Sequence, residues 1–96
     1  MTSKQRAMLR SMANTMETIL YVGKEGVTPG TVKEAYDALE ARELIKISVL
    51  QNCLDDPKEI AAVVAERTRS QVVQVIGKKI VLYREGKKEK KKIILP

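Results

Sequence analysis

Ninety-six residues with a net charge of +6 make one small basic domain, with no room for a second core beside the first. Apolar residues at 44% and charged residues at 31% exclude a disordered tail, and no apolar run approaches the ~20 residues that cross a bilayer. The absence of histidine and a single cysteine, Cys53, remove an internal disulfide, the common zinc ligand sets and the usual neutral-pH general base.

Residues 3–13 place Met8, Leu9 and Met12 at helical spacing, continued by Met16, with Lys4, Arg6 and Arg10 on the polar side. A first helix is predicted there, its methionines serving as flexible core filling. Thr18-Ile19-Leu20-Tyr21-Val22 is short, β-rich and closed by Gly23, which predicts a fully buried strand. The loop from Gly23 to Thr31 holds three of the five glycines. A second helix follows, started either by Thr28 with Pro29 or by the Thr31–Glu34 capping box. It is expected to turn Val32, Ala35, Tyr36 and Leu39 inward, and Glu34, Asp37 and Glu40 away from any nucleic acid. With Glu43 these carboxylates recur every third residue, which suits a wet helix face and not a metal site.

From Glu43 to Leu50, Ile45, Ile47 and Val49 alternate with Lys46 and Ser48, predicting a strand with one face on the core. Gln51-Asn52-Cys53 is a polar loop in which the cysteine reads as a small structural residue. Asp56-Pro57-Lys58-Glu59 opens a third helix, which runs through Ile60, Val63 and Val64 to about Thr68. Residues 72–76 and 79–83, separated by Gly77-Lys78, predict a hairpin. The order α-β-α-β-α-β-β implies a single compact α/β domain, a mixed four-stranded sheet with three helices covering its apolar face. Two connections are helical crossovers, and any parallel pairing must come from them.

Two features carry chemistry. Gly23-Lys24-Glu25-Gly26 is a GxxG loop between a strand and a helix. Glycine allows close backbone approach, a helix N-terminus offers free N–H donors, and Lys24 adds a mobile charge. These are parts for holding a phosphate, and they are equally the parts of a tight turn. The second feature is a basic tail. Arg84 to Lys92 holds six basic and two acidic residues, +4 of the total +6. That excess suits a polyanion, most often nucleic acid, or simply a solubilising terminus. With tyrosine as the only aromatic type and three copies of it, a base-stacking RNA-recognition motif is not expected.

The chain also resembles a known family. Leu20-Tyr21-Val22-Gly23-Lys24-Glu25-Gly26-Val27-Thr28, Ala38-Leu39-Glu40-Ala41-Arg42-Glu43-Leu44-Ile45-Lys46-Ile47 and Val73-Gln74-Val75-Ile76-Gly77-Lys78-Lys79-Ile80-Val81-Leu82-Tyr83-Arg84 are similar to stretches of the CRM (chloroplast RNA splicing and ribosome maturation) domain. The likeness is greatest to its free-standing bacterial form, the YhbY family. It implies a fold similar to KH-like and initiation-factor C-terminal domains. It also implies RNA binding, and association with precursors of the large ribosomal subunit. Two stretches depart from the family pattern. Ala13-Asn14-Thr15-Met16-Glu17 replaces a His-His-Leu-Lys-Pro-like segment, and Thr68-Arg69-Ser70 replaces Thr-Gly-Ala and so forfeits a glycine helix stop.

The expected organisation is an RNA-binding domain over residues 1–84 and a basic tail over 85–96. Gly23, Lys24 and Gly26 match the family's loop and Lys46 its ELIK strand. Thr28, Arg84, Lys87 and Lys88 join them as RNA-binding candidates. Lys4, Arg6 and Arg10 extend that surface or form a solvated helix face; Lys78 and Lys79 are ordinary turn lysines or further contacts. No catalytic constellation, cofactor, metal, membrane or small-molecule substrate is indicated. The expectation is a monomeric, cytoplasmic RNA binder; a small basic double-stranded DNA binder and a protein-docking adaptor are the alternatives.

Overall fold

In the computed structural model of the chain, residues 1–87 and 93–96 are described. Helix α1 (Ser3–Ala13) starts at a capping box: the Thr2 side chain accepts from the Gln5 backbone N–H, and the Gln5 side chain accepts from that of Thr2. Strand β1 (Leu20–Val22) leads through the glycine loop to α2 (Pro29–Arg42). Thr28 is the N-cap of α2, Pro29 takes the first helical position, and Thr31 closes the box from inside. The Thr28–Pro29 start is the one realised, and Thr31, the N-cap of the alternative box, serves inside it. Strand β2 (Leu44–Val49), α3 (Pro57–Thr68), β3 (Gln71–Ile76) and β4 (Lys79–Tyr83) complete the predicted order. Asp56 caps α3 by accepting from the Lys58 N–H.

The four strands form one mixed sheet in the order β1-β2-β4-β3. β1 runs parallel to β2, with Tyr21 opposite Ser48, and both β2 and β3 are antiparallel to β4. The hairpin turns at Gly77, whose φ of +56° is open to glycine at little cost. A bulge between Val72 and Gln74 shifts the β3 register. It turns Val73 into one core while Val72 and Val75 pack on the other.

The sheet is covered on both faces, which the sequence pattern did not predict. Helices α2 and α3 bury Ala35, Leu39, Ile60 and Val64 against Ile45, Ile47, Ile80 and Leu82, with Cys53 sealing the edge. On the opposite face, α1 sets Leu9 and Ala13 on Leu44, Val81 and Tyr83. On the β2 face expected to carry small or charged groups, α1 therefore covers Leu44, Lys46 is half-buried and Ser48 is buried. β1 differs in the other direction. It lies at the sheet edge beyond the reach of α1, so Leu20 and Val22 are buried but Tyr21 stands 59% exposed. Tyr36 and Met12, both expected inside, also lie on the surface because each sits at the margin of its helix's buried stripe.

Glu43 is the largest departure. Expected on a wet face, it is fully buried. Its Oε2 accepts the Gly86 N–H at 2.5 Å and its Oε1 the Ile93 N–H at 2.6 Å. Its backbone carbonyl accepts from the Arg84 N–H. The C-terminal segment is thereby docked on the domain: Ile93 is buried in the α1-side core, and the Pro96 carbonyl accepts from the Gln5 amide. Lys88 and the other lysines up to Lys92 lie outside the described residues.

Two substitutions test this arrangement by urea unfolding. Glu43→Ala strands buried N–H groups and is expected to cost about 2–4 kcal/mol. Arg69, at the position where the sequence lacks the expected glycine, closes α3 at φ +58° in the left-handed region. Arg69→Gly removes the Cβ clash at that cap and is expected to stabilise by about 0.5–1 kcal/mol.

Candidate nucleic-acid interface

The GxxG loop is a closed turn. The Gly26 N–H donates to the Gly23 carbonyl at 3.0 Å, leaving Lys24 and Glu25 exposed at the tip. Gly26 is buried at φ +68°, and a Cβ there would stand 2.6 Å from Asp55 Oδ2. Gly23 has no positive φ, and a Cβ on it would make only ordinary contacts, 3.5 Å from Leu50 Cδ1. Behind the loop, the start of α2 is largely self-satisfied. Pro29 has no N–H, and the Thr31 N–H is bonded to Thr28 Oγ1, leaving that of Gly30 in the first turn. Thr28 is thus committed to capping.

One side of the loop is hostile to phosphate. Glu25, Asp55 and Glu59 line a 300 Å³ cleft with Val27, Ile60 and Val63, between the loop and α3. An anion entering there meets three carboxylates. The asymmetry extends through the molecule: α2 and α3 carry Glu34, Asp37, Glu40, Glu59 and Glu66, whereas α1 and all four strands contain no acidic residue. Positive charge is therefore in excess on α1 and the strands, with Glu17 and Glu85 as acids in the flanking connections.

The sequence-derived candidates do not converge on one site. Gly23, Lys24, Gly26 and Thr28 sit beyond the C-terminal ends of β1 and β2, where the Lys78 carbonyl accepts from the Val49 N–H. Arg84 and Lys87 follow β4 at the other end of β2, about 17 Å away for six residues of strand. Three of the basic candidates are tied to internal partners. Arg6 lies three and seven residues before Leu9 and Ala13, hence on the sheet-facing side of α1. Its Nη1 donates to the Val72 and Val73 carbonyls, both at 2.8 Å, where the bulge breaks the ladder. Lys46 Nζ donates to the Met16 carbonyl at 3.0 Å and holds the α1–β1 connection. Arg84 donates to the Thr68 carbonyl and pairs with Glu40 at 2.9 Å, its guanidinium 4.4 Å from the Tyr36 ring centre. These three work as struts. Lys4, Arg10, Lys24 and Lys87 remain exposed.

Near Arg84 a second cleft of 330 Å³ includes Arg67, Arg69 and Lys87 in its lining, together with Glu40 and Glu85. Arg67 and Arg69 were missed from sequence, because an arginine at a helix end ordinarily only complements the dipole. Tyr21 was missed for another reason. The run it sits in reads as continuously apolar, and only the edge position of β1 turns it outward.

The family model for the CRS1/YhbY (CRM) domain matches residues 1–84. The chain belongs to that family of RNA-binding domains. The CRM domain is a non-catalytic module. Among the described residues no group of His, Cys, Asp or Glu side chains could hold a metal ion, and no helix is long and apolar enough to cross a membrane. The chain is 51% identical over 96 residues to the "Probable RNA-binding protein YqeI" of Bacillus subtilis, covering all of this chain and 99% of that one. It is 39% identical to the "Probable RNA-binding protein MJ0652" of Methanocaldococcus jannaschii, over 97% of this chain and 76% of the other. The solution structure of SAV1595 from Staphylococcus aureus superposes on this CRM domain with a TM-score of 0.82, at 51% identity, over 100% of this chain and 99% of that one.

The two loop glycines should separate in a stability measurement. Gly26→Ala is expected to cost about 1–2 kcal/mol, from its positive φ, since the Asp55 carboxylate can swing aside. Gly23→Ala should stay within about 0.5 kcal/mol of the parent. Thermal unfolding followed by circular dichroism checks both.

Proposed function

We propose that this protein binds ribosomal RNA in precursors of the large ribosomal subunit and assists their assembly. The carrying observation is a CRM domain over residues 1–84 whose charge is segregated, with no acidic residue in α1 or in any strand. Relatives sharing 51% and 39% identity are named as RNA-binding proteins, and a net charge of +6 supports a polyanionic partner. It acts as a monomer in the cytoplasm. Exposed lysines and Arg10 draw in the phosphate backbone, while the self-closed GxxG turn fixes where Lys24 is presented.

Sucrose gradients of cell lysate test the partner. The protein is expected beside large-subunit precursors and absent from translating ribosomes, and its depletion should make those precursors accumulate. Crosslinking in cells with sequencing of the attached RNA should return large-subunit ribosomal RNA. A protein that stays at the top of the gradient at low salt, with normal subunit profiles on depletion, overturns the assignment.

A further inference from the structure

The α1-side face of the sheet is only half covered. Helix α1 sits over Leu44, Val81 and Tyr83, and beyond its C-terminal end Tyr21, Lys79 and Ile76 are exposed. The pairing registers put Tyr21, Ser48, Lys79 and Ile76 in a single row across all four strands. Tyr21 and Ile76 are 59% and 61% exposed at the two ends of that row. In its middle, Lys79 Nζ donates to Ser48 Oγ at 2.7 Å, and Ser48 Oγ also lies 2.6 Å from Thr18 Oγ1. The serine is buried and fixes the lysine above the sheet. Two strand spacings, about 10 Å, separate the backbones carrying Tyr21 and Lys79. Alongside, Asn14, Lys46, Gln74 and Lys79 help line a cleft of 150 Å³ under the end of α1.

We propose that this open half-sheet is a platform for single-stranded RNA, on which a base stacks on the Tyr21 ring and Lys79 holds a neighbouring phosphate. The inference rests on the RNA-binding reading above and assigns its site. Charge complementarity selects the occupant: no strand contains an acidic residue, whereas the opposite side of the GxxG loop presents Glu25, Asp55 and Glu59. An aromatic ring at the edge of a positive, hydrogen-bonding surface suits an unpaired base and its phosphate. A duplex keeps its base faces stacked and offers the ring nothing. The path runs from Lys24 and Lys78, at the strand ends, over the sheet face and away from the acidic cleft.

The chain has no tryptophan, so Tyr21→Trp installs a single indole reporter on the platform. Emission from that indole should be quenched by a single-stranded uridine or adenosine 15-mer, while a Val63→Trp control, in the acidic cleft on α3, should not respond. Anisotropy of the labelled 15-mer should show Tyr21→Ala weakening binding about five- to a hundred-fold with little change in salt slope. Tyr21→Phe should retain most of the affinity. Lys79→Ala should lower the slope of log K against log salt by about 0.7. Tight binding by Tyr21→Ala, together with an unquenched indole in Tyr21→Trp, overturns the platform and leaves the RNA-binding reading standing. Indole emission that instead follows protein concentration without RNA makes the face a self-association surface and also overturns it. Failure of the parent to bind any RNA overturns both readings.

Discussion

A carboxylate with no exposed surface holds the N-terminal edge of β2 to the C-terminal segment of the chain. Glu43 ends α2 and adopts φ +66° with ψ −42°, a sparsely populated conformation that costs a non-glycine residue roughly 1–3 kcal/mol. That backbone turn delivers the chain from the helix into β2. It also points the carboxylate inward, where it accepts N–H groups from Gly86 and Ile93. Charge-assisted hydrogen bonds of this kind are about twice as strong as neutral ones, enough to offset the strain. Because Ile93 is held there, the α1-side core gains an apolar lid, and α1 has a second surface on which to rest. A chain of 96 residues has few other means of covering both faces of a sheet.

The same economy explains the arginines. Arg6 fills the gap left by the β3 bulge, and Arg84 ties the end of α3 to α2 through Thr68 and Glu40. Guanidinium is suited to both tasks because its planar fork satisfies two acceptors at once. Among the described residues lysines, by contrast, supply most of the exposed positive charge, with Arg10, Arg42, Arg67 and Arg69 as exposed arginines. Arginine type alone therefore does not mark an exposed charge in this protein. Acidic side chains are what the elements segregate: α2 and α3 carry five, α1 and the strands none, with Glu17 and Glu85 in connections outside them.

The chemistry expected of the GxxG loop is narrower in the folded protein. Its Gly26 N–H closes the turn, and the cap at Thr28 satisfies the start of α2, so few backbone donors are left for an anion. The loop's contribution is positional. It holds Lys24 at the end of the sheet, next to the hairpin turn that carries Lys78 and Lys79.

Much of the fold was legible in the sequence, because local signals coincide with local structure. The Thr28-Pro29 and Asp56-Pro57 starts, the Gly77-Lys78 turn and the seven-element order all depend on interactions within a few residues. The resemblance carried by the GKEG, ARELIK and VLYR stretches correctly named the family. Periodicity could even have placed Arg6 on the inner face of α1 with Leu9 and Ala13. Tertiary structure alone decided the burial of Glu43, the exposure of Tyr21 and the separation of the candidate bases between two ends of the sheet. Each of these depends on which strand lies at the edge and which helix covers which face. Strand order and layer assignment are set by the sum of long-range packing, and no window of neighbouring residues contains that sum.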